Sequence, residues 1–291
     1  MGTKDFFEIT YSHFRPVEQG PSIQEWRMQI SVIMTTYNRP NALEKVLSGL
    51  RQQIRMPDEV LIADDGSTPE TAALVHEVSV SAPFPVRHVW HADRGFRAAA
   101  IRNKAIRRST GEYLVLLDGD CIPDRHFIAD HNQLAQPGHF FQGKRVLIEK
   151  PLAPKFQNTD TNSFLGKTRL FFSANVGNRH HLLRLPFFPA TTSQSLSGIR
   201  SCNLGLYRDD LFAVNGFNET FEGWGREDSE LVVRLFNYGL KRKNHPFMAI
   251  CYHLWHAEND RSRLSINDAL LKKVADSGDY YCEIGITRGD S

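Results

Sequence analysis

Cysteine is scarce in this chain and shows no pairing pattern: the 291 residues hold four (Cys121, Cys202, Cys251 and Cys282), far apart and without a CxxC pair. That excludes a disulfide framework and a cysteine zinc site, and it points to a reducing compartment. No apolar run approaches the ~18 residues of a membrane span. The N-terminal "MGTKDFFEITYSHFRP" lacks the apolar core of a signal peptide, and Phe6 stands where a myristoylation motif needs Ser or Thr. Charge of one sign is also missing, since a net charge of +2 supplies no basic face for nucleic acid. These absences lead to the expectation of a cytoplasmic protein with no nucleic-acid partner. What is present, 41% apolar and 23% charged residues, suits one large globular core or two closely packed ones.

From Gln29 onward strand and helix patterns alternate. "QISVIMTTY", "DEVLIADDGS", "PVRHVW" and "EYLVLLDGD" read as β-branched or apolar strands. Between them lie "RPNALEKVLSGLRQQI", "TPETAALVHEVSV" and "RAAAIRNKAIRRS", with helical spacing. Strands separated by helices of this length imply an α/β fold with a mostly parallel, Rossmann-like sheet, whose ligands gather at the carboxyl ends of the strands. Residues 150–200 differ: seven Lys or Arg, one acid and weak periodicity read as long loops around a short helix, "FLGKTRLFF". Order returns with "CNLGLYRDDLFAVNGF", a helix in "EDSELVVRLFNYGL" and a strand in "PFMAICYHLWH". A last helix and a loose end follow in "RSRLSINDALLKKVADS" and beyond.

Three strands end in polar side chains: Thr35 to Asn38, Asp64 with Asp65, and Asp118 with Asp120. One such end is an ordinary cap. Three on one sheet favour a site. Asp118 and Asp120, on either side of Gly119, would repel if left unpaired, and a divalent cation such as Mn²⁺ or Mg²⁺ removes that repulsion. His253 and His256 could add an imidazole to a carboxylate-rich site. At positions i and i+3 they share one ion only where the strand is ending, and each alone reads more simply as a packed histidine beside Trp255. In "GWGREDSEL" a Trp flanked by glycines precedes acids at a helix start. Helix capping accounts for one acid. An indole beside a carboxylate also suits a sugar, with Trp224 stacking on the ring and Asp228 taking a hydroxyl proton. Arg97 and Arg102, near the start of the third helix, suit a phosphate.

In this order the motifs resemble the GT-A class of nucleotide-sugar-dependent glycosyltransferases, family 2. The matching stretches are "SVIMTTYNRP", "EVLIADDGS", "GFRAAAIRNKAI", "YLVLLDGDCIP", "CNLGLYRDDLFAVNGFNETFEGWGREDSEL" and "HLWH". The second half resembles the segment shared by galactosyltransferases and chondroitin-type polymerases. The resemblance implies an inverting, metal-dependent transfer of a sugar from a nucleotide-sugar, UDP-linked, to a hydroxyl of a glycan or lipid-linked acceptor in bacterial surface polysaccharide or lipopolysaccharide synthesis. It implies Thr35, Tyr37 and Arg39 against the nucleoside, and Asp65 or its neighbour Asp64 on the uracil edge or ribose. Arg102 would lie near the diphosphate, with Arg97 on the nucleotide side. Asp118 would touch ribose or metal; Asp120 and His256 would bind the metal, with His253 as a second, softer ligand. Asp228 would be the base, Glu227 would hold the acceptor, and Trp224 and Asn203 would line the acceptor side. Arg226 departs from the family, where a second glycine is common.

The expected organisation is an N-terminal extension (1–28), a nucleotide-sugar half (29–149), an acceptor half of the same domain (150–256) and a C-terminal helix and tail (257–291). Two alternatives stand beside the enzyme reading: a non-catalytic nucleotide- or sugar-binding module on the same fold, and a phosphatase using the DxD. The basic, aromatic stretch from Lys150 to Arg200, with Lys167, Arg169 and Arg184, also suggests peripheral contact with an anionic membrane at its inner face. An acceptor loop that packs its aromatics internally explains the same composition.

Overall fold

The computed structural model describes residues 27–157 and 159–287, so most of the expected N-terminal extension lies outside the described residues. The strands are β1 (Ile30–Thr36), β2 (Glu59–Asp64), β3 (Val86–Trp90), β4 (Tyr113–Asp118), β5 (Cys121–Pro123), β6 (His139–Gln142), β7 (Lys144–Ile148), β8 (Val176–Gly177), β9 (Thr191–Ser193), β10 (Asn203–Tyr207), β11 (Lys241–Asn244) and β12 (Ile250–Leu254). The α-helices are α1 (Pro40–Arg51), α2 (Pro69–Ser81), α3 (Ala98–Arg108), α4 (Phe127–Leu134), α5 (Thr159–Asn162), α6 (Phe164–Phe172), α7 (Arg208–Ala213), α8 (Glu227–Asn237) and α9 (Leu264–Ser277).

One sheet runs β3-β2-β1-β4-β10-β6-β11-β9, and a smaller one runs β5-β12-β7-β8. The expectation of an α/β fold with a mostly parallel main sheet holds, and the sheet is mixed where β10 and β9 run against the rest. Strands β3, β2, β1 and β4 are parallel, but β10 is antiparallel to both β4 and β6. No crossover helix delivers β10 beside β4; the chain reaches it through residues 150–202 and enters from the opposite edge. The start of β10 therefore lies at the edge where the parallel strands end, with Asn203 opposite Leu117.

Alternation along the strands builds a core on each face. Ile30, Val32 and Met34 of β1 join α1 and α2 on one side, where Leu43, Val46, Leu47 and Leu50 form the apolar stripe of α1. Ile33 points the other way, to Leu61, Ala63, Leu114 and Leu116, covered by α3, α7 and α8. Arg234 fastens α8. Fully buried, it pairs with Glu230 and donates to the carbonyls of Val214 and Gly216, so the first turn of α8 is fixed to within a rotamer. The segment after α9 is not loose as expected: Cys282 and Ile286 are buried, and Ile286 N donates to Asn215 O.

Candidate active site

The crevice lies along the edge where β1, β2 and β4 end. Gly119 makes the turn after β4, and its N–H donates to Thr35 O at 2.7 Å. A Cβ at this position would come within 3.0 Å of the same oxygen and 3.1 Å of the Thr36 side chain, so any larger residue would have to push the turn or β1 aside by a few tenths of an ångström. Asp120 O then accepts from Leu254 N, tying the turn to the end of β12.

That tie separates the two carboxylates. Asp120 meets the end of β12, with His256 Nε2 at 3.3 Å from Oδ2 and His253 Nε2 at 3.8 Å from Oδ1. One ligand atom from each of the three lies within 4.8 Å of the others. The i, i+3 obstacle disappears because β12 stops at Leu254 and the chain turns. Burial, reinforced by the nearby charge of Arg145, pushes His253 down to about 4, so its ring is a neutral donor at physiological pH. One carboxylate and two imidazoles fit Mn²⁺ better than Mg²⁺, which prefers an all-oxygen shell.

Asp118 faces the other way. Its Oδ1 accepts from Arg102 Nη2 at 3.3 Å, and Arg102 also donates to Thr35 Oγ1 at 3.0 Å and Glu227 Oε1 at 3.2 Å. Arg102 is buried; burial disfavours its charge, but Asp118 and Glu227 more than offset this and hold its pKa up. Burial raises Asp118, Glu227 and Asp228 above the usual carboxylate range, with Arg102 opposing in each case. Asp228 Oδ1 accepts from Ser229 N at 2.7 Å, and its Oδ2 from Ser201 N at 3.4 Å, just before β10. Glu227 Oε2 is buried without a partner, a vacancy for a hydroxyl donor.

The remaining expected residues divide. Tyr37 is half exposed, and its hydroxyl donates to Asp93 Oδ2. Arg39 reaches Asp120 Oδ2 at 3.0 Å, which places its guanidinium beside the His253–His256 pair. Asp64 is fully buried and spent on Ser67 N and His88. Asp65 accepts from Arg97 N and contacts His91 at 2.6 Å, so Arg97 enters the crevice through its backbone, while its guanidinium donates to Ala92 O. Trp224, half-buried between Gly223 and Gly225, lies under the Arg261 guanidinium at 4.9 Å.

Asn203 does not line the acceptor side. It is 1% exposed, and its amide joins Lys144 O, Ala249 O and His131, bracing the two sheets. Arg226 holds φ +79°, the conformation that explains the family's glycine, and its side chain leaves the pocket to pair with Asp268 of α9. The sequence offered no signal for the part of Ser201, a backbone N–H. It also hid the thiol cluster beneath the site: Cys121 lies within hydrogen-bonding reach of Cys202 and Cys251, and these contacts and burial keep it a thiol well above its usual pKa.

Comparison with known proteins now decides the family. The model of Glycosyl transferase family 2 matches residues 31–181, and a second, described as the N-terminal domain of galactosyltransferase, matches residues 189–257. The chain belongs to Glycosyl transferase family 2. The phosphatase alternative falls with that membership. Among similar proteins, a Pasteurella multocida hyaluronan synthase is 27% identical over 252 residues, covering 80% of this chain and 25% of that protein. A Streptomyces hygroscopicus validoxylamine A glucosyltransferase is 27% identical over 239 residues, covering 72% of this chain and 48% of its own length. The chain thus spans a quarter to a half of these relatives. Among solved structures, S. aureus TarS in complex with UDP superposes with a TM-score of 0.57 at 17% identity, covering 85% of this chain and 65% of that one. The Pyrobaculum calidifontis mannosyltransferase PcManGT, in complex with GDP-Man and Mn²⁺, gives 0.52 at 18% identity, covering 87% and 74%. Both likenesses establish a GT-A fold.

Proposed function

We propose that this chain is an inverting, metal-dependent glycosyltransferase, moving a sugar from a UDP-sugar to a hydroxyl of a glycan or lipid-linked acceptor in bacterial surface polysaccharide synthesis. One observation carries the reading: a three-donor metal cluster at Asp120, His253 and His256 opens into the same crevice as the buried Asp228–Glu227–Arg102 network. The UDP and the GDP-Man with Mn²⁺ bound by the two structural neighbours support a nucleotide-sugar donor. Residues 29–149 would serve the donor and 150–256 the acceptor.

Asp120, His253 and His256 would hold Mn²⁺, which when bound neutralises the charge that develops on the departing diphosphate. Arg39, already at Asp120, would turn to the diphosphate, and Asp65 and Tyr37 would contact the nucleoside. Glu227 Oε2 would accept a substrate hydroxyl. Asp228 would take the proton of the acceptor hydroxyl as that oxygen bonds to the anomeric carbon. The bond from that carbon to the phosphate oxygen breaks with its electron pair going to the nucleoside diphosphate. Attack from the face opposite the leaving group inverts the configuration. Ser201 N and Ser229 N fix the lone pairs of Asp228, and burial makes its carboxylate a stronger base than one in water.

Among the described residues no helix is long and apolar enough to cross a membrane. A lipid-linked acceptor would instead meet the exposed side chains of Phe164, Leu165, Phe172 and Phe187 beside Arg169. Lys167 and Arg184 are spent on Asp124 and Asp130, so neutralising Arg169, not those two, tests salt-sensitive binding to anionic liposomes.

The deciding experiment is thermal unfolding with Mn²⁺ plus UDP, GDP, dTDP or CDP, each repeated with EDTA. A metal-dependent upward shift with UDP is expected. No shift with any nucleotide would overturn the donor-site reading.

A further inference from the structure

Arg145 plays no part in the mechanism above, yet its strand β7 pairs with β12, which carries His253. In the parallel ladder of β7 with β12 it lies opposite Cys251, so its side chain projects from the same face as Cys251 and His253. His253 in turn lies opposite Cys121, the residue after Asp120. The guanidinium is close enough to act electrostatically on His253 and to feel Asp118 and the thiol of Cys202. Cys202 follows Ser201, whose N–H holds Asp228. Arg145 thus lies within electrostatic reach of His253 at one end and of Asp118 and Cys202 towards the other.

Asp118 favours its charge only from a distance, and among the described residues no carboxylate pairs with it directly. Arg39 and Arg102 each face a carboxylate within 3.3 Å. The half-buried Arg145 guanidinium makes no hydrogen bond or ion pair with any described residue. A partly desolvated guanidinium with five donors and no acceptor is costly unless a ligand supplies the acceptor, and its fork matches the paired oxygens of a carboxylate or phosphate.

Resting on the donor-site reading above, we propose that Arg145 is an oxyanion subsite of the donor pocket, taking either a carboxylate on the transferred sugar or the phosphate joined to it. The test is calorimetric titration, with Mn²⁺ present, of UDP, UDP-glucose and UDP-glucuronate into the wild type, Arg145→Gln and Arg145→Lys. If the subsite takes a sugar carboxylate, Arg145→Gln weakens UDP-glucuronate at least tenfold and leaves the other two within twofold. If it takes the phosphate, all three weaken by a common factor of tenfold or more. Arg145→Lys keeps the charge without the fork and is expected to lose part of the same affinity; it also carries the test if the Gln variant does not fold. Wild-type affinities for all three ligands in the variants overturn the assignment alone. Failure of the wild type to bind any of the three overturns the donor-site reading and the subsite together.

Discussion

At one end of the crevice Asp120, His253 and His256 face one another across a few ångströms, with Arg39 also reaching Asp120. At the other, Asp118, Glu227 and Asp228 surround the buried Arg102, and nearly every polar atom already has a partner. The first end leaves donor atoms free to regroup around an incoming ion. The second is pre-organised, so its carboxylates are held where charge and protons must be managed, and reorganisation is settled at folding. The two acids of a single DxD therefore make different contacts on either side of the turn at Gly119, although the charge of Asp120 still acts on Asp118.

Removing the base should have the largest effect. Asp228→Asn is expected to lower turnover ~10²–10⁴-fold while nucleotide binding persists; near-normal turnover would remove Asp228 from that role. Arg102→Met should come next, because it strands buried carboxylates, with an expected loss of about 3–5 kcal/mol in denaturant unfolding. A comparably large loss from Arg39→Met would erase the contrast between the two ends, since the half-exposed Arg39 should cost under about 1 kcal/mol. Asp120→Ala should leave the apo protein nearly as stable but abolish the added stability that Mn²⁺ and UDP confer, about 2.7 kcal/mol at a hundredfold excess over Kd.

The last expected effect lies outside both ends. Buried His131 braces Asn203, and burial pushes its pKa down to about 4. The unfolded chain, with a His pKa of ~6.5, binds the extra proton first as pH falls. Stability should therefore drop between pH 6.5 and 4, by about 1–3 kcal/mol from this residue. Urea unfolding at pH 7 and 5 measures it, and a smaller drop in His131→Gln would assign it.

The parallel half was legible because β1, β2 and β4 are apolar runs bounded by helices with clear spacing, and the carboxyl-edge rule then collected Thr35, Asp65, Asp118 and Asp120. The short strands β5 to β9 and β11 were not, since two to five residues carry too little periodicity to separate from loops. Pairing also decides what a polar strand end does: Asp64 and Asp65 are adjacent in sequence, yet one is consumed by His88 within the fold and the other holds the start of α3. Asn203 misled because its place before a reacting motif gave no hint that it points between two sheets. Arg145 was invisible for the opposite reason, as its strand carries no motif and its neighbours Cys251 and Asp118 come from distant parts of the chain.

The hydrogen bond from Leu254 N to Asp120 O has a consequence for how the protein reaches its native state. It joins an early strand end to a late one, so the metal ligands meet only after β10 and the intervening segments have found their places. A collapsed intermediate that had formed the parallel half would hold Asp120 without either histidine. The proposed ion site would therefore be completed late on the folding path, and an ion present during refolding should slow unfolding far more than it speeds folding.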